Sequence, residues 1–234
     1  MDSVLVTGGA GFIGSHFVRA LMRRHRELDV HVLDALTYAG NLDNLSQEVL
    51  ENRRFHFWYG NVCDADVVSE VMEHVDAVVH FAAESHVARS IASNTIFYQT
   101  DVMGTQVIAN QVLKNPRRIK RFIHISTSEV YGTALAQPMT EDHPLMPASP
   151  YASAKCGADR LVYSYWRTYG IPAVIIRPFN QYGPNQHLEK CIPRFITHVV
   201  DEEPLTIHGD GSAARDWCYV GDTCQALLAA LEAP

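Results

Sequence analysis

The chain is expected to adopt an α/β fold, a doubly wound parallel sheet covered by helices on both faces. Three observations predict it. Short apolar runs rich in β-branched residues recur between longer segments of helical period. The first run ends in a cluster of glycines. The 234 residues, 47% hydrophobic and 19% charged, are enough for one large core or one domain with an appendage.

The candidate strands are Val4-Leu5-Val6, Val30 to Leu33, Phe55-His56-Phe57, Ala77 to Phe81, Phe122 to Ile125 and Ala173 to Ile176. Strands alternating with helices argue for parallel pairing, because each crossover lays a helix on a face. The spacing predicts helices over Phe12 to Arg26, Ala65 to His74, Ile96 to Leu113 and Pro150 to Tyr169. In the last, Ser149 is placed to cap, and Pro150 occupies the first helical position, where its missing N–H costs nothing. After Arg177 the prolines at 178, 184, 193 and 204 and the glycines at 183, 209 and 211 predict a loop-rich appendage. A final helix is expected from about Val220 to Leu231. The division read from the sequence is 1–178 for the sheet domain and 179–234 for a partial second region.

Composition excludes several classes. The formal charge of −7 and the sparse basic cluster of Arg117, Arg118, Lys120 and Arg121 do not make a phosphate-tracking stripe, so no nucleic-acid partner is expected. No run approaches the roughly 18 apolar residues of a membrane span, and the N-terminus has no basic and apolar leader pattern; a cytoplasmic, unanchored protein is expected. The five cysteines contain no C-x-x-C pair and read as free thiols. The twelve histidines lack metal-ligand spacing, and no metal is expected.

The loop Gly8-Gly9-Ala10-Gly11-Phe12-Ile13-Gly14 follows the first strand and opens the first helix. Glycines there allow a tight turn and let a pyrophosphate approach backbone N–H groups at the positive end of a helix. Asp34 ends the second strand, where a carboxylate accepts from ribose hydroxyls. No arginine follows it to meet a 2'-phosphate, so the expected cofactor is NAD and not NADP. Tyr151 and Lys155 lie four residues apart on one face of the helix after the fifth strand. A nearby ammonium is expected to lower the phenol's pKa and to make Tyr151 a general base toward a sugar hydroxyl, with Lys155 also holding the nicotinamide ribose.

With these residues the sequence resembles the extended short-chain dehydrogenase/reductase family, whose cofactor domain is a Rossmann fold, and within it the nucleotide-sugar epimerases and dehydratases. It is most similar to the dTDP-glucose 4,6-dehydratases in Gly8 to His16, Leu33 to Leu42, Phe81 to Val87, Asn180 to Pro184, Glu189 to Pro193 and Arg215-Asp216-Trp217. The resemblance implies an NAD site lined by Gly8, Gly11, Phe12, Ile13, Gly14, Asp34, Thr37, Gly40, Phe81, Ala82, Ala83, Ser85 and Thr100 together with Tyr151 and Lys155. It implies a substrate site from Ser85, His86, Asn180, Glu189, Lys190, Pro193, His208 and Arg215; a guanidinium fork at Arg215 also suits a diphosphate on its own chemistry. Thr127 would polarise the C4 oxygen of the sugar, and Glu129 would take the C5 proton. Where the dehydratases carry Asp as the acid for the C6 hydroxyl, this chain has Ser128, and where they usually show Asp it has Ala88. Thr-Ser-Glu also resembles the motif of UDP-glucuronate decarboxylases, and a UDP-sugar 4-epimerase needs only Tyr and Lys. Those two activities therefore stand beside dehydration, and a non-catalytic nucleotide-binding module stands as the reading outside enzymes. The resemblance further implies a homodimer through Ile96 to Leu113 and Pro150 to Tyr169. It also implies a smaller substrate-binding domain, most of which lies beyond Pro234.

Overall fold

The computed structural model describes residues 1–207 and 209–233. Six strands, β1 (Ser3–Thr7), β2 (Asp29–Asp34), β3 (Phe55–Tyr59), β4 (Ala77–His80), β5 (Arg121–Ile125) and β6 (Ala173–Ile176), pair in the order β3-β2-β1-β4-β5-β6. All five pairings are parallel. The chain winds outward from β1 to β3 and then returns to lay β4 on the other side of β1. The loops after these two neighbours therefore diverge, and their divergence opens a crevice at the carboxyl ends of the strands.

Alternation along β1 sends Val4 and Val6 to one face and Leu5 to the other. On the first face they meet α1 (Phe12–Arg24) through Phe17, Val18 and Leu21, and α9 (Val220–Glu232) through Cys224, Leu227 and Leu231. On the second face lie α3 (Ala65–Met72), α6 (Thr105–Lys114) and α7 (Pro150–Tyr169), contributing Val68, Met72, Ile108, Val112 and Val162. All six expected strands and the helix Pro150–Tyr169 are present, and Ser149 Oγ accepts from the Ala152 N–H at 3.1 Å as its residue type predicts. The helices expected to end at Arg26 and His74 stop at Arg24 and Met72, because His25 turns to extended backbone and the carbonyls of the last turn are already taken at Glu73.

One expected helix is interrupted. In place of a continuous span from Ile96 to Leu113, α5 (Thr95–Phe97) passes into a π turn over Tyr98–Gly104 before α6 begins. The Thr105 hydroxyl donates to the Asp101 carbonyl at 2.5 Å, and the Asp101 carboxylate is drawn to the Glu84 N–H at 2.7 Å. These two bonds hold the wider turn, a form that in proteins gathers at functional sites.

Beyond residue 178 the appendage forms its own small parallel pair, β7 (Asn180–Tyr182) with β8 (Trp217–Tyr219), and a helix α8 (Cys191–Val200) that buries none of its residues. Helix α9 follows the boundary read from the sequence, yet it packs on α1 and closes the first core. Among the described residues no helix is long and apolar enough to cross a membrane.

Candidate active site

The crevice starts where the loops after β1 and β4 touch. Gly8 has φ +69°, and a Cβ there would stand 2.7 Å from the Ala82 nitrogen. A Cβ at Gly14 would stand 2.2 Å from the Gly8 carbonyl oxygen, so only glycine lets α1 start this close to the loop. Gly11 is the N-cap and offers no side-chain cap. The first amides of α1, on Phe12, Ile13 and Gly14, are thus left at the positive end of a helix for an outside acceptor. This cradle, which side chains would fill, fits the pyrophosphate of a dinucleotide.

Asp34 is buried at the end of β2. Its Oδ2 accepts from the Ala10 N–H and its Oδ1 from the Leu36 N–H, both at 2.9 Å. Burial raises its pKa, and the two amide donors oppose that rise. Asp34 therefore ties the glycine loop to the next loop while each oxygen retains a lone pair for a ribose hydroxyl. Gly40 packs against the same carboxylate, and Thr37 is exposed. Phe81, Ala82, Ala83 and Ser85 follow β4 half-buried, and Thr100 lies half-buried in the π turn.

β5 delivers a second set of residues. Thr127 is buried, and its hydroxyl accepts from the Glu129 N–H at 3.2 Å, turning the chain into a short 3₁₀ helix over Ser128–Tyr131. The Ser128 N–H donates to the Pro178 carbonyl at 3.0 Å, pinning this strand end to the segment beyond β6. Across from it, α7 carries Tyr151 beside Thr127, with the Tyr151 N–H donating to Ser90 Oγ at 3.1 Å. One turn later Lys155 is buried, and its Nζ donates to the Ile125 carbonyl at 2.6 Å. Thr127, Glu129, Tyr151 and Lys155 thus lie together at the end of β5.

The expected lowering of the phenol's pKa is corrected here: the Tyr151 pKa is raised. Burial is the largest cause, and the charges of Asp101 and Glu129 add to it, while Thr127 opposes them. The Lys155 ammonium, turned toward the Ile125 carbonyl, is itself pulled down by burial and held up by Asp101 and Asp159. Burial raises the Glu129 carboxyl, offset by the charges of Arg215 and Lys190.

The residues expected on the substrate side come from the appendage and from the loop after β4. Lys190 Nζ donates to the Ser85 carbonyl at 2.7 Å and lies 3.6 Å from Glu189 Oε1. Glu189 Oε2 is 3.6 Å from His86 Nε2 and 3.9 Å from His187 Nδ1. The Arg89 guanidinium covers the Tyr38 ring at 4.1 Å, and the His187 ring meets Tyr38 edge-on at 5.5 Å. Asn180 and Pro193 are half-buried at the starts of β7 and α8, and Arg215 is exposed. His208 lies outside the described residues.

Tyr38, Glu84, Arg89 and Asp101 were missed by the sequence reading. Asp101 had a legible signal: it shares the buried face with Phe97, Thr105 and Ile108, and a carboxylate in an apolar stripe calls for a partner.

A dinucleotide cradle at the switch point, joined to a Tyr/Lys pair beneath the fifth strand, defines the class as an extended short-chain dehydrogenase/reductase. The profile of the GDP-mannose 4,6 dehydratase family matches residues 5–234, and the chain belongs to that family of enzymes. It is 45% identical over 228 residues to a dTDP-glucose 4,6-dehydratase of Streptomyces niveus, a match spanning 96% of this chain and 67% of that protein. Among solved structures, the dTDP-glucose 4,6-dehydratase of Streptomyces venezuelae with NAD bound superposes with a TM-score of 0.93 at 45% identity, over 98% of this chain and 71% of that one. The UDP-glucuronic acid 4-epimerase of Bacillus cereus, in complex with UDP-glucuronic acid and NAD, gives 0.92 at 34% identity, over 98% and 73%.

Proposed function

We propose that the chain is an NAD-dependent nucleotide-sugar 4,6-dehydratase of the dTDP-glucose type. The observation that carries this reading is Glu129, a half-buried carboxylate held by the Thr127 turn close enough to Tyr151 for its charge to raise the phenol. Dehydration needs a second proton acceptor beside the Tyr/Lys pair; epimerisation at C4 does not.

NAD, when bound, would supply reversible hydride acceptance between C4 and C6, so the overall reaction would have no net redox change. Tyr151 takes the proton of the sugar 4-hydroxyl, and the Thr127 hydroxyl donates to the resulting C4 carbonyl oxygen. Lys155 holds a positive charge beside this oxygen and the cofactor ribose. The ketone acidifies C5–H, and Glu129 removes that proton. The C6 hydroxyl must gain a proton to leave as water. Ser128 is too weak an acid for this near neutrality, so it orients the hydroxyl while Glu129, now a carboxylic acid, donates; the enolate left after hydride return takes its C5 proton from solvent, to which Tyr151 releases the 4-hydroxyl proton. Burial, which raises the Glu129 pKa, favours that second role. Asp34 and the loop of Gly8, Gly11, Phe12, Ile13 and Gly14 hold the cofactor. Lys190, Asn180 and Arg215 face the diphosphate, and Glu189 positions Lys190.

A second reading, a UDP-sugar 4-epimerase or decarboxylase, is favoured by Ser128 and by the likeness to a UDP-glucuronic acid 4-epimerase. We read the enzyme as cytoplasmic and homodimeric. The exposed Ile96, Tyr98 and Met103, with Tyr163 and Trp166 on α7, supply the apolar face that such a pairing would cover.

The test is mass spectrometry of products after incubation with NAD and, separately, dTDP-glucose, UDP-glucose, UDP-N-acetylglucosamine and UDP-glucuronate. Loss of water from dTDP-glucose is expected. Loss of carbon dioxide, or a new isomer of unchanged mass, would transfer the assignment to the second reading.

A further inference from the structure

A hollow of about 660 Å³ lies between α1 and the segment from Ser46 to Arg54, and none of the residues that line it belongs to the crevice. Its size falls within the roughly 300–1,000 Å³ of small-ligand sites. Four guanidiniums line it: Arg19 and Arg23, one turn apart on α1, Arg26 just past the end of that helix, and Arg54 ahead of β3. Two carboxylates share it, Glu27 and, on the single turn α2 (Gln47–Leu50), Glu48. Among the described residues the arginines in ion pairs are Arg24, Arg160 and Arg177, so these four guanidiniums have no carboxylate partner.

Two of the four are fixed by backbone instead. Arg54 Nη1 donates to the carbonyls of His25 at 2.9 Å and Leu28 at 3.0 Å, and Arg19 Nη1 donates to the Asn44 carbonyl. Asn44 is itself held, because its Nδ2 donates to the Ala10 carbonyl at 2.8 Å. Each anchor occupies one nitrogen of the fork and leaves the Nε and Nη2 donors of that side chain for another acceptor. Arg23 and Arg26 stand exposed beside them. Folding alone does not call for this grouping. Arg54 already serves the carbonyl end of α1, and like charges one helical turn apart repel. Burial and then the charge of Arg23 pull the Arg19 pKa down, which is the mark of a cation placed where it lacks a counter-charge.

We infer that the hollow is a binding site for a small anion with two or more linked phosphate groups, gripped by Arg19 and Arg54 as fixed forks and closed over by Arg23 and Arg26. Guanidinium groups meet phosphate oxygens in pairs and give up their hydration easily. Glu27 and Glu48 leave the lining a surplus of two positive charges, so a singly charged anion is held weakly and a diphosphate or triphosphate is selected. The site is independent of which sugar nucleotide the crevice turns over.

The test is calorimetric titration of the NAD-loaded chain with sodium pyrophosphate at about 0.15 M salt, where loose surface attraction is screened. Saturable binding is expected. Arg23→Gln with Arg26→Gln should weaken it about tenfold, whereas Arg117→Gln with Arg118→Gln, an exposed pair elsewhere that removes the same charge, should leave it within about twofold. Glu48→Gln should tighten it roughly two- to threefold, a gain that a damaged fold would not give. On the native protein, pyrophosphate should slow phenylglyoxal modification of Arg23 and Arg26, read by peptide mass, and leave that of Arg117 and Arg118 unchanged. Absence of saturable binding, equal loss in the two double variants, or protection spread evenly over all four of these arginines would overturn the proposal.

Discussion

The two halves of the site are built differently. Around Tyr151 and Lys155 the side chains are anchored to backbone that belongs to the sheet: Lys155 to the last carbonyl of β5, and the turn after Thr127 to the segment after β6. Around Glu189 and Lys190 the anchors are loop to loop, and α8 beside them buries no residue. Groups that move protons must stay within a few tenths of an ångström of their target, and a rigid scaffold supplies that. Groups that recognise a nucleotide can adapt, and loops supply that. On the proposed reading, bond-making is set by the sheet and substrate choice by the appendage.

The sharpest way to break that comparison is Tyr151→Phe. Turnover measured by product mass should fall by roughly 10²–10⁴ with the melting temperature unchanged; any smaller loss would show that the anchored half is not where the proton moves. Ser128→Asp probes the same half with opposite sign. It should raise the rate of water loss by about tenfold or more, by restoring a proton donor with a carboxylic pKa. An equal or lower rate would count against elimination.

For the adaptable half, Lys190→Ala should weaken sugar-nucleotide binding by about tenfold, seen in KM, and leave kcat within a few-fold. A fall in kcat alone would mean that Lys190 belongs to the chemistry. A separate effect, outside the site, is on acid stability. His31 is buried in a stack with His56, His74 and Trp58, and burial followed by the two neighbouring imidazoles lowers its pKa to about 4. The folded state thus binds fewer protons than the unfolded one, whose histidine has the ordinary value of 6.5. Stability is complete above that value and is lost as the pH falls from it toward 4, by up to about 3 kcal/mol. His31→Phe should flatten that part of a urea-denaturation series.

Much of this was legible in the residues. The strands announced themselves because β-branched runs bounded by turn residues have few other uses, and Pro150 with Ser149 fixed the start of α7 to the residue. The glycine loop and Asp34 were legible because close backbone approach leaves little choice of side chain. Three things were not. The π turn at Tyr98–Gly104 depends on Asp101 meeting Glu84, a contact between residues far apart in sequence. The direction of the Tyr151 pKa depends on which charges surround it in space, and helical spacing alone favoured the cation. Helix α4 (Val87–Ala92) is too short for local period to carry weight, and α8 follows the irregular Gly183-Pro184 stretch.

Helix α9 also has a meaning in time. Its Leu227, Leu228 and Leu231 close over Phe17 and Leu21 of α1, and Glu232 pairs with Arg24. The second element of the chain is therefore finished by the last one described. During synthesis the apolar side of α1 and the sheet face beneath it stay uncovered until α9 has been made. Such a nascent chain is sticky until α9 emerges from the ribosome, and chaperone dependence should concentrate in that interval.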